Sequence, residues 1–133
     1  MKAFAGSAAM AVAFLAAAAL PASAHHAVRA VFDVNKPITV SGSITQVEWL
    51  NPHSYISLDS TDAKGNVQHW VFELPGPGAL SQAGLSAENR GALKPGDMIK
   101  VEGLAAKDGS TTGFLNKLYF ADGRVFVPTG KNQ

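Results

Sequence analysis

From Pro37 to Pro128 apolar and polar residues mostly alternate at period two, broken by turn residues every eight to twelve positions. That pattern predicts short, half-buried strands of an all-β barrel or sandwich. Ile38, Val40 and Ile44 share one parity, while Val47 and Trp49 have the other, so a bulge is expected near Thr45-Gln46. Leu50-Asn51-Pro52-His53 reads as a turn, because proline fixes its own φ and asparagine favours turn geometry. A second strand runs from His53 to about Ser60, with Ile56 and Leu58 on one face. Asp62 to Asn66 closes a hairpin into a third strand, Val67 to Leu74, which turns Trp70, Phe72 and Leu74 to one side. Pro75-Gly76-Pro77-Gly78 ends it, and Ala79 to Arg90 is the stretch suited to a short helix. Turns at Lys94-Pro95-Gly96-Asp97 and Lys107-Asp108-Gly109-Ser110 precede strands Met98 to Leu104 and Phe114 to Phe120. Asp122-Gly123 then makes a tight turn into Arg124 to Val127. This order predicts a five- to six-stranded Greek-key barrel of the oligonucleotide/oligosaccharide-binding (OB) type, with one short helix between strands three and four. Such barrels host unrelated functions, so function has to be argued from a site.

The same alternation predicts which polar residues meet. Symmetric pairing about Lys64 sets Leu58 opposite Trp70 and Ile56 opposite Phe72, apolar matches that fix the register. It also sets His69 opposite Asp59 and Glu73 opposite Tyr55, on the outer face. Pairing around Asn51-Pro52 matches Val47 with Ile56 inside and Glu48 with Tyr55 outside. Glu48, Tyr55 and Glu73 therefore form one cross-strand row, with His53 two residues along the same face. His53 and His69 fall at opposite ends of the hairpin, roughly 20 Å apart at about 3.3 Å per residue, too far to share one ion.

Composition divides the chain. Nineteen of the first 24 residues are apolar, against 43 of the remaining 109, and the excess sits in one uncharged run, Ala8 to Leu20. Lys2 ahead of it, Pro21 after it and the small residues Ala22-Ser23-Ala24 predict a signal peptide cut after Ala24 and a periplasmic or secreted product. A retained anchor is the competing reading, but the run is shorter than the roughly 20 residues that cross a bilayer. The expected division is 1–24 signal, 25–36 N-terminal arm, 37–128 barrel and 129–133 tail. Without Lys2, ten basic side chains face ten acidic ones, so neither nucleic acid nor a membrane surface is expected as a partner. The chain has no cysteine, which removes disulfides, thiolate metal sites and cysteine nucleophiles.

Cleavage after Ala24 makes His25 the first residue. A free α-amine and the adjacent imidazole can both lose protons near neutral pH, and together they chelate one metal ion through two nitrogens. One more imidazole completes a histidine brace. Nitrogen donors in a planar set suit Cu(II), with Zn(II) as the tetrahedral competitor. His53 is the expected third donor, His26 a substitute, and Glu48, Tyr55 and Glu73 the residues around the site. Each has an ordinary alternative: a frayed chain end for His25-His26, a turn cap for His53, a solvated sheet for Glu48 and Glu73, and sheet cover for Tyr55. Trp49 and Trp70 have core parity and read as packing residues.

His25-His26, Phe32-Asp33 with Asn35-Lys36-Pro37, Val47-Glu48-Trp49-Leu50-Asn51-Pro52-His53, Trp70-Val71-Phe72-Glu73, and Leu93-Lys94-Pro95-Gly96-Asp97 with Val101-Glu102-Gly103 resemble a family of small exported bacterial proteins known as a domain of unknown function. The resemblance spans nearly all of the chain after the signal and implies export and a barrel, without an activity. Two functions follow as expectations: a periplasmic copper-binding module, or a metal-free barrel that holds an envelope protein or small ligand through the Trp49 to Tyr55 loop. Catalysis is a third and lesser one, since no nucleophile and base stand at catalytic spacing.

Overall fold

The computed structural model describes residues 22–85 and 93–128, with side chains from Ala27 onward. The apolar run expected to be a signal, residues 86–92 with the end of the predicted helical stretch, and the tail 129–133 lie outside the described residues.

Helix α1, Ala22–Val31, leads without a break into β1, Phe32–Glu48; β2 is His53–Thr61, β3 Val67–Pro75, α2 Pro77–Gln82, β4 Met98–Ala106, β5 Thr112–Phe120 and β6 Val125–Phe126. The long first strand does two jobs. Its first part, up to Ser43, pairs with β4, and its second part, from Ser43, pairs with β2. The register slips between Ile44 and Gln46, where the change of parity called for a bulge. β3 then pairs in parallel with β5 through Val71–Glu73 and Thr112–Phe114, and β5 pairs with β4. The circuit β1-β2-β3-β5-β4-β1 is thereby closed. That connectivity, with α2 between β3 and β4, is the OB barrel, and closure removes the open edges a flat sheet would leave.

The registers match the sequence reading residue by residue: Leu58 with Trp70, Ile56 with Phe72, Asp59 with His69, Tyr55 with Glu73, Val47 with Ile56 and Glu48 with Tyr55. Side chains of the inward parity, Ile44, Ile56, Leu58, Phe72, Leu74, Val101, Leu115 and Leu118, are fully enclosed. Leu80, Leu85 and Leu93 pack into the same cluster from α2 and the segments after it. Trp49 and Trp70 pack against that core rather than standing free, and Trp70 stacks on Phe72 with ring centroids 5.7 Å apart.

Two elements differ from expectation. α2, Pro77–Gln82, starts two residues ahead of the stretch Ala79 to Arg90 in which a short helix was expected. Proline suits the first helical turn, where its missing N–H leaves no bond unmade, and Gly84 at φ +97° ends the helix in the left-handed conformation that glycine tolerates. The barrel also begins at Phe32, ahead of Pro37, so the arm expected over 25–36 is a helix followed by the start of β1. Period two hid this start. Phe32 pairs with Ala106 and the next pair is Pro37 with Leu104, a slip accompanied by the Asn35 amide donating to Asp33 Oδ1 at 2.9 Å.

Candidate functional site

The β1–β2 connection sets the position of His53. Asn51–Pro52 is a cis peptide bond, and β2 begins at the next residue, with His53 paired to Pro75. This loop is pressed against the start of α2. A Cβ at Gly76 would lie 2.8 Å from both Asn51 Oδ1 and the Pro52 carbonyl oxygen, so only glycine lets the two loops meet this closely. Glu73 stands diagonally across the ladder, and its Oε1 is 2.7 Å from His53 Nδ1. With the carboxylate accepting, the proton sits on Nδ1, and a neutral ring then has its lone pair on Nε2, on the opposite edge. The row Glu48, Tyr55, Glu73 is formed as read from the sequence, and Glu73 is the member that contacts His53.

Glu73 is only 18% exposed and His53 46%; Glu73 pairs with Phe114 where β3 and β5 meet. Ala27, Val28 and Val31 of α1 line a groove of about 510 Å³ together with His53, Glu73 and Phe114. Phe32 fixes the end of α1 against β5 through its ring contact with Phe114, centroids 5.6 Å apart. Lys107 fixes it from the β4–β5 loop: its backbone amide donates to the Val31 carbonyl at 3.0 Å and its Nζ to the Arg29 carbonyl at 2.5 Å. A lysine at the last carbonyls of a helix satisfies acceptors that have no partner within it.

The second histidine–carboxylate pair is as expected and is solitary. His69 Nδ1 meets Asp59 Oδ1 directly across the ladder, with the side chains 80% and 35% exposed. Carboxyls held below their usual range lie in turns: hydrogen bonds from Asn66 act on Asp62, from Ser110 on Asp108 and from Arg124 on Asp122.

His25 and His26 belong to α1 by backbone, and their side chains lie outside the described set. Among the described residues no three potential metal-binding side chains converge. The sequence reading missed the groove and its walls. A signal was available in Phe114, which has the outward parity of β5 between buried Gly113 and Leu115. An aromatic there calls for a partner, and Phe32 supplies it.

Residues 11–116 match a model described as a family of unknown function (DUF6152). No curated protein matches the chain in sequence. Among solved structures it is similar to the mitochondrial single-stranded DNA binding protein Rim1 of S. cerevisiae, at 13% identity and a TM-score of 0.49, over 68% of this chain and 94% of that one. The barrel assignment rests on the strand connectivity.

Proposed function

This chain belongs to the family of unknown function DUF6152, and within it we propose an exported copper-binding barrel whose ion is held by the mature N-terminus and His53. The observation that carries the proposal is the shared groove of α1 and His53. Ala27 lines that groove, and His25 is two residues before it. Two residues span at most about 7 Å, so cleavage after Ala24 would put an α-amine and an imidazole within that length of chain from a residue of the same groove.

Removal of the leader after Ala24 creates the first two nitrogen donors, and the Nε2 lone pair of His53 is the third. Glu73 fixes the ring's tautomer and direction, the usual part of a carboxylate behind a metal-bound histidine. His26 is the substitute donor. Three nitrogens favour Cu(II) over Zn(II) in a planar site. The protein would then carry or buffer the ion in the periplasm.

The exported protein should bind one Cu(II) and show nitrogen hyperfine structure in its electron paramagnetic resonance spectrum. His25→Ala should weaken binding by more than the 10- to 100-fold that follows from losing a partner behind a ligand, while His69→Ala should leave it unchanged. Equal copper affinity in the His25→Ala protein would remove the proposal.

A further inference from the structure

The groove over His53 has a second property, independent of any metal. Its described walls are mostly apolar, from Val28 and Val31 of α1 to Pro75, Ala79 and Phe114. Among the described residues the polar side chains that line it are His53 and Glu73, already in contact with each other. We infer that this groove binds a small, neutral, apolar molecule carrying one hydroxyl group, a phenol or a ring alcohol, whose O–H donates to His53 Nε2. This goes beyond the copper proposal and does not rest on it.

The argument is one of matching groups. A volume of about 510 Å³ lies within the range of small-molecule sites, which pair apolar walls with a few placed polar atoms. Glu73 accepts the hydrogen bond from Nδ1–H, so Nε2 is the ring atom left for a ligand, and in the tautomer that this bond sets it is an acceptor that calls for a donor. An alcohol or phenol provides one without bringing a charge into apolar surroundings. A carboxylate would meet the half-buried Glu73 carboxylate, and among the described residues no lysine or arginine lines the groove to offset it. An alkylammonium could donate too, but taking its charge out of water is far more costly than burying a hydroxyl.

The test compares 2-naphthol with naphthalene on the exported protein carrying His25→Ala, in the presence of chelator so that copper plays no part. Naphthalene is the more apolar of the two, so a merely greasy groove would prefer it. The expected result is that 2-naphthol binds about tenfold more tightly, the ratio that one buried hydrogen bond supports. Amide shifts in nuclear magnetic resonance spectra should centre on His53, Ala79 and Phe114. In His53→Phe the preference should vanish while naphthalene still binds, which separates loss of the acceptor from loss of the fold. Naphthalene binding as tightly as 2-naphthol, a preference surviving His53→Phe, shifts centred elsewhere, or tighter binding of 2-naphthylmethylamine would each overturn the inference. Failure of the copper proposal would show only in the metal titration of the His25-bearing protein, so the two failures are distinguishable.

Discussion

The β2–β3 hairpin carries the same chemical pair at both ends: His53 with Glu73 at the base, and His69 with Asp59 towards the tip. Their surroundings differ. At the tip, the imidazole is 80% exposed, and such an exposed pair contributes little, since water competes with both partners. At the base, Glu73 is 18% exposed, pairs with Phe114 across β3 and β5, and lines one groove with α1. Two residues of the right type on facing strands are therefore not yet a site. The base is a candidate because segments distant in the chain, 27–32 and 114, line one groove with it.

The largest effect expected of this difference is on the histidine rings. Glu73→Gln should free the His53 ring, seen as a change of tautomer in its nitrogen-15 shifts, and lower copper affinity by about 10- to 100-fold, the usual consequence of losing the partner behind a ligand. Asp59→Asn should leave the metal affinity unchanged. Equal responses at the two ends would mean that enclosure contributes nothing and that the pairs are equivalent.

Much of the barrel was legible in the sequence because strand parity and turn residues constrain each other. Once Asp62 to Gly65 is taken as a turn, the apolar matches Leu58 with Trp70 and Ile56 with Phe72 allow only one register, and the polar pairs of the outer face follow from it. The bulge at Thr45 was legible for the same reason, since a strand buried on one side cannot change parity without one. The groove beside His53 was not. It depends on the parallel pairing of β3 with β5, which joins segments about forty residues apart, and on a helix whose C-terminal carbonyls are bound by Lys107. Local periodicity carries no information about either contact. The start of β1 was hidden because Asp33 to Lys36 interrupt the ladder.

A smaller effect separates the two ends through their glycines. Gly76→Ala puts a methyl group into the Asn51 side chain and the Pro52 carbonyl, and should cost about 1–3 kcal/mol, the range for overpacking. The loop before β2 would have to yield, so His53 and its neighbours should shift in the amide spectrum. At the tip, Gly65 has open space around it but a φ of +84°. Gly65→Ala should cost about 1–2 kcal/mol through left-handed backbone strain alone, and leave the spectrum around the groove unchanged. Thermal unfolding of both variants, read with the spectra, checks the pair. Movement of His53 in Gly65→Ala would show that the tip and base are coupled through the hairpin.

The smallest effect is expected in acid and belongs to the tip. The Asp62 carboxyl is held below the usual range first by the Asn66 backbone amide and then by the Asn66 side-chain amide, which donate at 2.9 and 3.2 Å. A carboxyl lowered by folding contributes its full share of stability above its unfolded-state pKa, and that share is lost as pH falls through the folded value. The turn should therefore keep its structure through mildly acidic pH and loosen only below the range in which free carboxylates titrate. Following the Asn66 amide resonance during an acid titration measures this directly, and Asp62→Asn should flatten the curve. Because the groove residues are distant from Asn66, their resonances should not follow the same curve. A common titration at Asn66 and Phe114 would mean that the hairpin opens as a unit, and the contrast between its base and its tip would then fail.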